Sequence, residues 1–205
     1  MTRRTRRQQQ RRQGYTLIEV MMAIGVLTAG AVAIMALQSA STRGNMEARQ
    51  MGTGAMLAQR WVERLRRDAL NWTRGSNTVD ALLLSRTHWL RNVPSPGDPA
   101  NWQVPAANPA TGETPNFDFY GNDTATATEM RYCGNVRYEW LYPGRAMRAD
   151  VRVWWVRSVT NTGDPTRAQL ASCAPGVDPN TLTGDFRIRA AYASTVIRYT
   201  PMPGS

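Results

Sequence analysis

The sequence predicts an α+β protein in which one long N-terminal helix packs on an antiparallel β-sheet. Three patterns lead to this prediction. Residues 15–37 form an apolar run with one charge, and the stretch after it, to about residue 72, has apolar residues at helical spacing. Three runs after residue 129 alternate apolar and polar residues as strands do. The chain has 205 residues, enough for one good core and too few for several large domains.

The composition argues against several kinds of catalytic site. All 25 basic residues are Arg, so the sequence has no lysine for a Schiff base, a phosphate loop or a general base. One His and two Cys argue against a His-rich metal site or a zinc ribbon. His88 has Ser85 and Asp80 nearby in sequence, but a lone His of this kind is more often structural. The sequence therefore predicts no enzyme, no cofactor and no metal.

Positive charge is concentrated directly before the apolar run. Residues 1–14 hold six arginines and no acid. As a helix, residues 15–37 would extend about 35 Å, enough to cross a bilayer core of roughly 30 Å. The positive-inside rule keeps the arginines in the cytoplasm and sends the chain after Leu37 across the membrane. A basic arm for nucleic acid is the competing interpretation, and the adjoining span argues against it.

Two conventional export signals fit this outline less well. A secretory signal cleaved at residues 31–33 would hold Glu19 inside its apolar core, which is costly. A twin-arginine signal at Arg3 and Arg4 lacks the apolar residues that should follow the pair. The acid within the span therefore needs another explanation.

Residues 11–21 read Arg-Arg-Gln-Gly-Tyr-Thr-Leu-Ile-Glu-Val-Met, and they resemble the leader junction of type IV prepilins. The shared features are a basic leader ending in Gly, an aromatic first mature residue, and then Thr-Leu-Ile-Glu. The resemblance implies cleavage after Gly14 by the membrane prepilin peptidase and methylation of the new amino group on Tyr15. The apolar run then stays attached as a transmembrane helix.

The same resemblance assigns to Glu19 a salt bridge that forms during assembly. No basic side chain lies between Tyr15 and Thr42, so the nearest cation within the span is a terminal amine. Glu19 follows Tyr15 by about 6 Å along a helix, which would let its carboxylate meet the amine of a neighbouring, axially staggered subunit. A position near the lipid headgroups, or neutralisation of its own amine, is the alternative.

Small residues recur every four positions within the span, at Gly25, Ala29 and Ala33. Such a strip would let another helix approach closely. The weaker interpretation is that Gly and Ala are common in membrane helices.

The pattern beyond the span predicts a helix lying on a core. Its core-facing stripe comprises Ala48, Met51, Ala55, Ala58, Val62, Leu65, Ala69 and Trp72. On the face predicted to be solvated, Glu63 with Arg67 and Arg64 with Asp68 are spaced for (i, i+4) ion pairs. A continuous helix from about residue 15 to 71 would be about 85 Å long.

Residues 55–66 are similar to the Ala-x-x-Leu-Ala-Gln…Glu-x-x-Arg pattern of the PilV type of minor pilin, as is Ala-Leu-Gln at 36–38. This resemblance implies the pilin-like lollipop. Its parts are a cleaved leader at 1–14, the transmembrane half of the helix at 15–37, the amphipathic half at 38–72, and a β-sheet headgroup with loops at 73–205.

Within the headgroup, a Pro-rich loop at 92–128 precedes predicted strands at 130–142, 149–159 and 185–199. One face of the sheet should be covered by the helix, with Arg-rich outward faces in solvent. Cys133 and Cys173 lie beyond the span, where an oxidising compartment favours a disulfide, although two free buried thiols are an alternative.

The resemblance implies a minor pilin that is inserted in the inner membrane and then built into a type IV pilus, at or near its tip. Its partners would be the prepilin peptidase, other minor and major pilins, and a tip adhesin. A minor pseudopilin of type II secretion shares the same leader and helix. A membrane-anchored protein that binds sugar or DNA through its tryptophans and arginines is the alternative of a different class.

Overall fold

A computed structural model describes residues 16–73, 81–156, 180 and 188–199. The chain divides into two compact units, one ending at Met46 and the other beginning at Glu47. Helix α1, Leu17–Thr73, contributes residues to both units.

In the first unit, the described residues are almost entirely helix. Residues 17–46 are helical and exposed throughout, and their apolar side chains include Leu17 at 80% and Leu37 at 71% exposure. Within the described part of the chain, α1 holds the one stretch that is long and apolar enough to cross a membrane, and none of that stretch is buried. The described part of this unit therefore leaves a large apolar surface uncovered, which calls for another apolar environment.

The second unit contains a four-stranded antiparallel sheet whose strands follow one another in sequence order. The strands are β1, Asn116–Phe117; β2, Tyr132–Tyr142; β3, Ala146–Val156; and β4, Ile188–Arg198. Two short 3-10 helices, Ala81–Arg86 and Leu90–Asn92, follow α1. The α+β pilin-like fold class is confirmed. All three predicted strands are present; β2 begins two residues later and β3 three residues earlier than predicted, and the predicted strand residues 157–159 and 185–187 lie outside the described residues. β1 is a two-residue edge strand inside the predicted loop.

The core of this unit lies between α1 and the inner face of the sheet. Its main members are Leu57, Trp61, Leu65 and Trp72 from the helix, and Val136, Met147, Val151, Val153 and Trp155 from β2 and β3. The predicted stripe is correct from Ala58 onward, where every member is buried. It is wrong at Ala48 and Met51, which precede the buried part of the helix beginning at Gly54, and at Ala55, which lies with Met56 on the exposed side of the helix.

Gly54 is the point where the helix backbone meets the indole of Trp155. A Cβ on Gly54 would overlap ring atom Cζ3 and lie 3.0 Å and 3.1 Å from Cη2 and Cε3. A Cβ on Gly52, only two residues earlier, would meet nothing within 4 Å. Helix α1 continues unbroken through both glycines, so Gly54 is explained by close packing against the sheet.

The ion pairs predicted along α1 are wrong. Arg64 and Asp68 are only 2% and 6% exposed, and they do not pair with each other. Glu63 pairs with Arg66, at 2.9 Å, instead of with Arg67. The physical reason is that Arg64 and Asp68 lie on the side of α1 that is covered by residues from distant parts of the headgroup, which periodicity along one helix cannot show.

The prediction of a solvated Arg-rich outer face is also wrong at Arg152, which is 1% exposed. Its side chain lies on the face of the sheet opposite α1, where the indole of Trp102 covers it. Trp102 reaches this face because the next residue, Gln103, forms a β-bridge with Val136 at the edge of β2.

Candidate processing and assembly site

The first turn of α1 is closed by Thr16 and Glu19. The backbone N–H and the hydroxyl of Thr16 donate hydrogen bonds to Oε2 of Glu19, at 2.9 Å and 3.0 Å. This is the reciprocal half of a capping box, in which an acid at the third helical position accepts the N–H of the N-cap residue. The partial positive charge of the helix N-terminus also favours an acid here. Glu19 therefore has a local structural role within its own chain.

The second carboxylate oxygen of Glu19, Oε1, makes no hydrogen bond among the described residues. No described side chain forms a salt bridge with Glu19, and the sequence places the first cation after it at Arg43. Its negative charge is therefore uncompensated by any side chain in the described part of this unit. The alternative in which Glu19 neutralises its own amine involves Tyr15, which lies outside the described residues, as does Gly14.

The predicted packing strip of Gly25, Ala29 and Ala33 lies on exposed helix. A Cβ on Gly25 would meet no atom within 4 Å, so nothing described covers the strip at that point. The role of these residues in helix packing stays a prediction. The same holds for the disulfide, since Cys133 is buried beside Trp154 but Cys173 lies outside the described residues.

Arg64 is the centre of a polar cluster that the sequence did not predict. Its guanidinium pairs with Asp123 at 2.6 Å and Glu113 at 3.3 Å, and donates to the carbonyl of Thr114 at 3.0 Å. It also lies over the rings of Trp61 and of Phe117. The available signal was the position of Arg64 within the apolar stripe, between Trp61 and Leu65, but nothing in the sequence identified the two acids as its partners.

Asp68 is a second buried polar residue with a structural role. Its carboxylate accepts the backbone N–H groups of His88, Trp89 and Leu90, at 2.9, 2.8 and 3.2 Å. The hydroxyl of Tyr138 donates to the carbonyl of Trp89, and burial raises the pKa of Tyr138, with the charge of Asp68 acting in the same direction. These contacts fix the segment after α1 against the sheet.

His88 is placed by the same segment and contacts structural groups. Its ring Nε2 lies 3.1 Å from the carbonyl oxygen of Ala107, and the ring packs edge-on against Trp89. Ser85, its neighbour in sequence, is exposed. Asp80 lies outside the described residues. Within the described part of the chain, no three or more His, Cys, Asp and Glu side chains form a possible metal site.

The tryptophans divide between the core and the outer face of the sheet. Trp61, Trp72, Trp89 and Trp155 belong to the main core, and Trp140 packs against it. Trp102 lies instead on the outer face of the sheet, where the guanidinium groups of Arg137 and Arg152 are 5.0 Å and 4.5 Å from its ring centre. Burial lowers the pKa of Arg152, although a hydrogen bond with Tyr192 opposes the shift.

Asp150 pairs with Arg137, and its pKa is shifted. Desolvation raises its pKa, but hydrogen bonds from Ser194 and Arg137, together with the charges of Arg148 and Arg137, outweigh desolvation and lower the pKa overall. Asp150 is therefore ionised at neutral pH. Nothing in the sequence identifies this group of residues as a site.

Comparison with known proteins locates the recognisable family signal at the N-terminus. A family model described as the prokaryotic N-terminal methylation motif matches residues 9–35. The match includes the leader junction, Glu19 and the small-residue strip. No curated protein and no solved structure matches the chain.

The motif, the exposed apolar helix and the antiparallel sheet together define a class of protein. They support a type IV pilin-like protein, either a pilin or a pseudopilin, and the motif suggests a structural role. The motif implies processing by prepilin peptidase and assembly with other pilins. It is also consistent with membrane anchoring that precedes incorporation into a fibre.

Proposed function

We propose that this protein is a minor pilin of the PilV type, cleaved after Gly14, methylated on Tyr15, and incorporated at or near the tip of a type IV pilus. There it helps assembly, adhesion or motility. The observation that carries the proposal is Glu19, an acid on an exposed apolar helix with no cationic side chain beside it in the described residues. Burying such a charge unpaired in hydrocarbon costs several kcal/mol, so its position calls for a partner cation.

Assembly supplies that cation as the methylated amine of a neighbouring subunit. Because Thr16 occupies only Oε2, the Oε1 atom of Glu19 remains open to the incoming amine. The helix cap and the intersubunit pair can therefore exist at once. Gly25, Ala29 and Ala33 let the neighbouring helix come close enough for the pair to form.

Processing is tested first, by expressing the full chain with and without a prepilin peptidase. Mass spectrometry of the N-terminal peptide should then find a chain that begins with N-methylated Tyr15 only when the peptidase is present. Gly14→Val should remain uncleaved, because a side chain there blocks the approach of the protease to the scissile carbonyl. A mature N-terminus beyond the apolar segment, near Gln38, would contradict the proposal.

The role of Glu19 is tested by incorporation into fibres. Glu19→Gln keeps the shape and can still accept hydrogen bonds from Thr16, but it removes the charge that attracts an amine. We expect sheared fibres to lose this subunit while the membrane keeps it in normal amount. Thr16→Val is the matched control, because it removes one of the hydrogen bonds to Glu19 and leaves the charge. Normal incorporation of Glu19→Gln would refute the assigned role.

A minor pseudopilin of type II secretion is the second candidate, since it would use the same leader and helix. Cross-linking the mature chain in membranes and identifying its neighbours separates the two. Recovery of pilus subunits supports the minor pilin, whereas recovery of secretion-system subunits alone supports the pseudopilin.

A further inference from the structure

The face of the sheet that points away from α1 contains a cavity of about 420 Å³. Its lining residues come from β2, β3, β4 and the Pro-rich loop, and they are Trp102, Arg137, Asp150, Tyr192, Ala193 and Ser194. The volume lies within the range of small-molecule sites, roughly 300 to 1,000 Å³. Aromatic walls with a few converging polar groups are also typical of such sites.

Two aromatic rings form the walls of the cavity. The ring centres of Trp102 and Tyr192 are 6.2 Å apart, and their planes are inclined by 58°. Tyr192 is 61% exposed although it lies in the middle of β4, so its ring is open to solvent. At this separation the two rings contact each other, so together they form one apolar aromatic surface on which the C–H face of a sugar ring can pack.

Arg137 supplies hydrogen-bond donors to the cavity. It donates through Nε and Nη2 to Oδ2 of Asp150, at 3.2 Å and 2.7 Å. Its Nη1 group makes no hydrogen bond among the described residues, and its side chain is one-third exposed. The two N–H donors of Nη1, on a guanidinium that Asp150 holds in place, therefore remain available for an acceptor, and a charged acceptor gives the stronger bond.

The charges beside Arg137 favour an anionic ligand group. Asp150 is shared by two cations, because Nε of Arg148 lies 3.3 Å from the same Oδ2 atom. One carboxylate cannot neutralise both guanidinium groups, although Glu139 also pairs with Arg148. Arg152, buried beneath Trp102, adds a third cation to this face. Among the described residues of this face, the three arginines stand against two acids, Asp150 and Glu139.

The cavity can also recognise a hydroxyl group. Oδ1 of Asp150 accepts the hydroxyl of Ser194 at 2.6 Å, and a carboxylate oxygen has capacity for a second donor. The cavity thus offers partners for three features of a ligand, which are an apolar ring face, a hydroxyl donor and a negatively charged group. A saccharide that carries a carboxylate combines these three features.

We propose that this cavity binds an anionic saccharide of the uronic acid class. The carboxylate lies on Nη1 of Arg137, a hydroxyl donates to Asp150, and the sugar ring packs against Trp102 and Tyr192. Binding here is independent of N-terminal processing, so the minor-pilin assignment and this site can fail separately.

The test uses the full chain in detergent micelles and isothermal titration with oligogalacturonate, with a maltooligosaccharide of the same length as the neutral probe. Arg137→Gln should weaken oligogalacturonate binding by about tenfold or more, since a charge-assisted hydrogen bond contributes about 1.5–3 kcal/mol. Tyr192→Ala should weaken it by roughly threefold or more, through loss of an aromatic wall. Near-UV circular dichroism checks that each variant is folded.

Two variants are matched controls. Arg67→Gln removes an exposed cation of α1, on the other face of the sheet, and Tyr120→Ala removes an aromatic ring that is 80% exposed in the loop after β1. Both should bind within about twofold of the unaltered chain, the scatter expected away from the site. Because Tyr192 is exposed, Tyr192→Ala keeps the test decisive if Arg137→Gln does not fold.

Four results would overturn the proposal: no binding of oligogalacturonate, equal affinity for the neutral oligosaccharide, equal loss in the control variants, or tighter binding of single-stranded oligothymidine than of oligogalacturonate. The last result would identify the face as a nucleic-acid site.

Discussion

Gly54→Ala and Gly52→Ala should change the stability of the headgroup in opposite directions. Both replace a helical Gly by Ala, which alone stabilises a helix by about 1 kcal/mol. At Gly52 the new methyl group meets open space, so this gain is realised. At Gly54 it overlaps the indole of Trp155, and overpacking of this kind costs typically about 1–3 kcal/mol.

The overlap at Gly54 is not easily relieved. Trp155 is 2% exposed in β3, and its ring packs against Tyr132 with centres 5.7 Å apart. We therefore expect Gly54→Ala to be less stable than Gly52→Ala by about 1–3 kcal/mol. With a headgroup of this size, that difference corresponds to a separation of about 2–12 °C in Tm.

The assay is unfolding of the full chain in detergent micelles, followed by tryptophan fluorescence. All seven tryptophans lie between residues 61 and 155, so the signal reports the headgroup and not the apolar helix. Trp155→Leu provides a double-mutant cycle, because a smaller side chain should reduce the cost of Gly54→Ala. If both Gly-to-Ala changes stabilised the chain equally, the helix would not approach β3 at Gly54 and the packing described here would be wrong.

Three further predictions concern the headgroup. Arg64→Met should destabilise it by about 1–3 kcal/mol, because Asp123 and Glu113 lose the buried cation that they share and keep only the more exposed Arg60 and Arg67. Arg67→Met, at an exposed cation, should cost less than about 1 kcal/mol in the same unfolding assay. The pKa of Asp150 is lowered in the folded state, so the stabilising contribution of its carboxylate is complete above the ordinary pKa of 3.8 and is lost as the pH falls through the lower folded pKa. In this acidic range, the Tm of Asp150→Asn should fall less steeply with decreasing pH than the Tm of the unaltered chain, whereas the Tm of Glu139→Gln should fall as steeply as that of the unaltered chain. If the predicted disulfide forms, reduction should lower the stability of the unaltered chain by roughly 3–4 kcal/mol and leave Cys133→Ser unchanged; an equal response of both chains to the reductant would exclude the bridge.

The sequence was most informative where structure depends on local spacing. The apolar span, the buried stripe from Ala58 onward and the three long strands each follow from periodicity within one segment. Their ends were less predictable. β3 begins at Ala146, three residues earlier than expected, because pairing with β2 extends almost to the turn.

Contacts between distant segments could not be predicted in the same way. Arg64 was assigned to solvent because its compensating acid, Asp123, lies 59 residues away in a loop. The cavity on the outer face was missed for a similar reason. The cavity depends on Trp102, whose ring lies over Arg137 and Arg152. Trp102 is held there by the β-bridge that its neighbour Gln103 forms with Val136 of β2.

The sequential strand order also bears on how the headgroup reaches its native form. β2 and β3 are separated only by residues 143–145, and the N–H of Arg145 closes their turn on the carbonyl of Tyr142 at 2.9 Å. Closing so short a loop costs little chain entropy, so this hairpin can form early, whereas β4 must return across more than thirty residues. Under the proposed topology, a headgroup that emerges from the membrane unfolded would have a local starting point for folding that does not depend on its C-terminal strand.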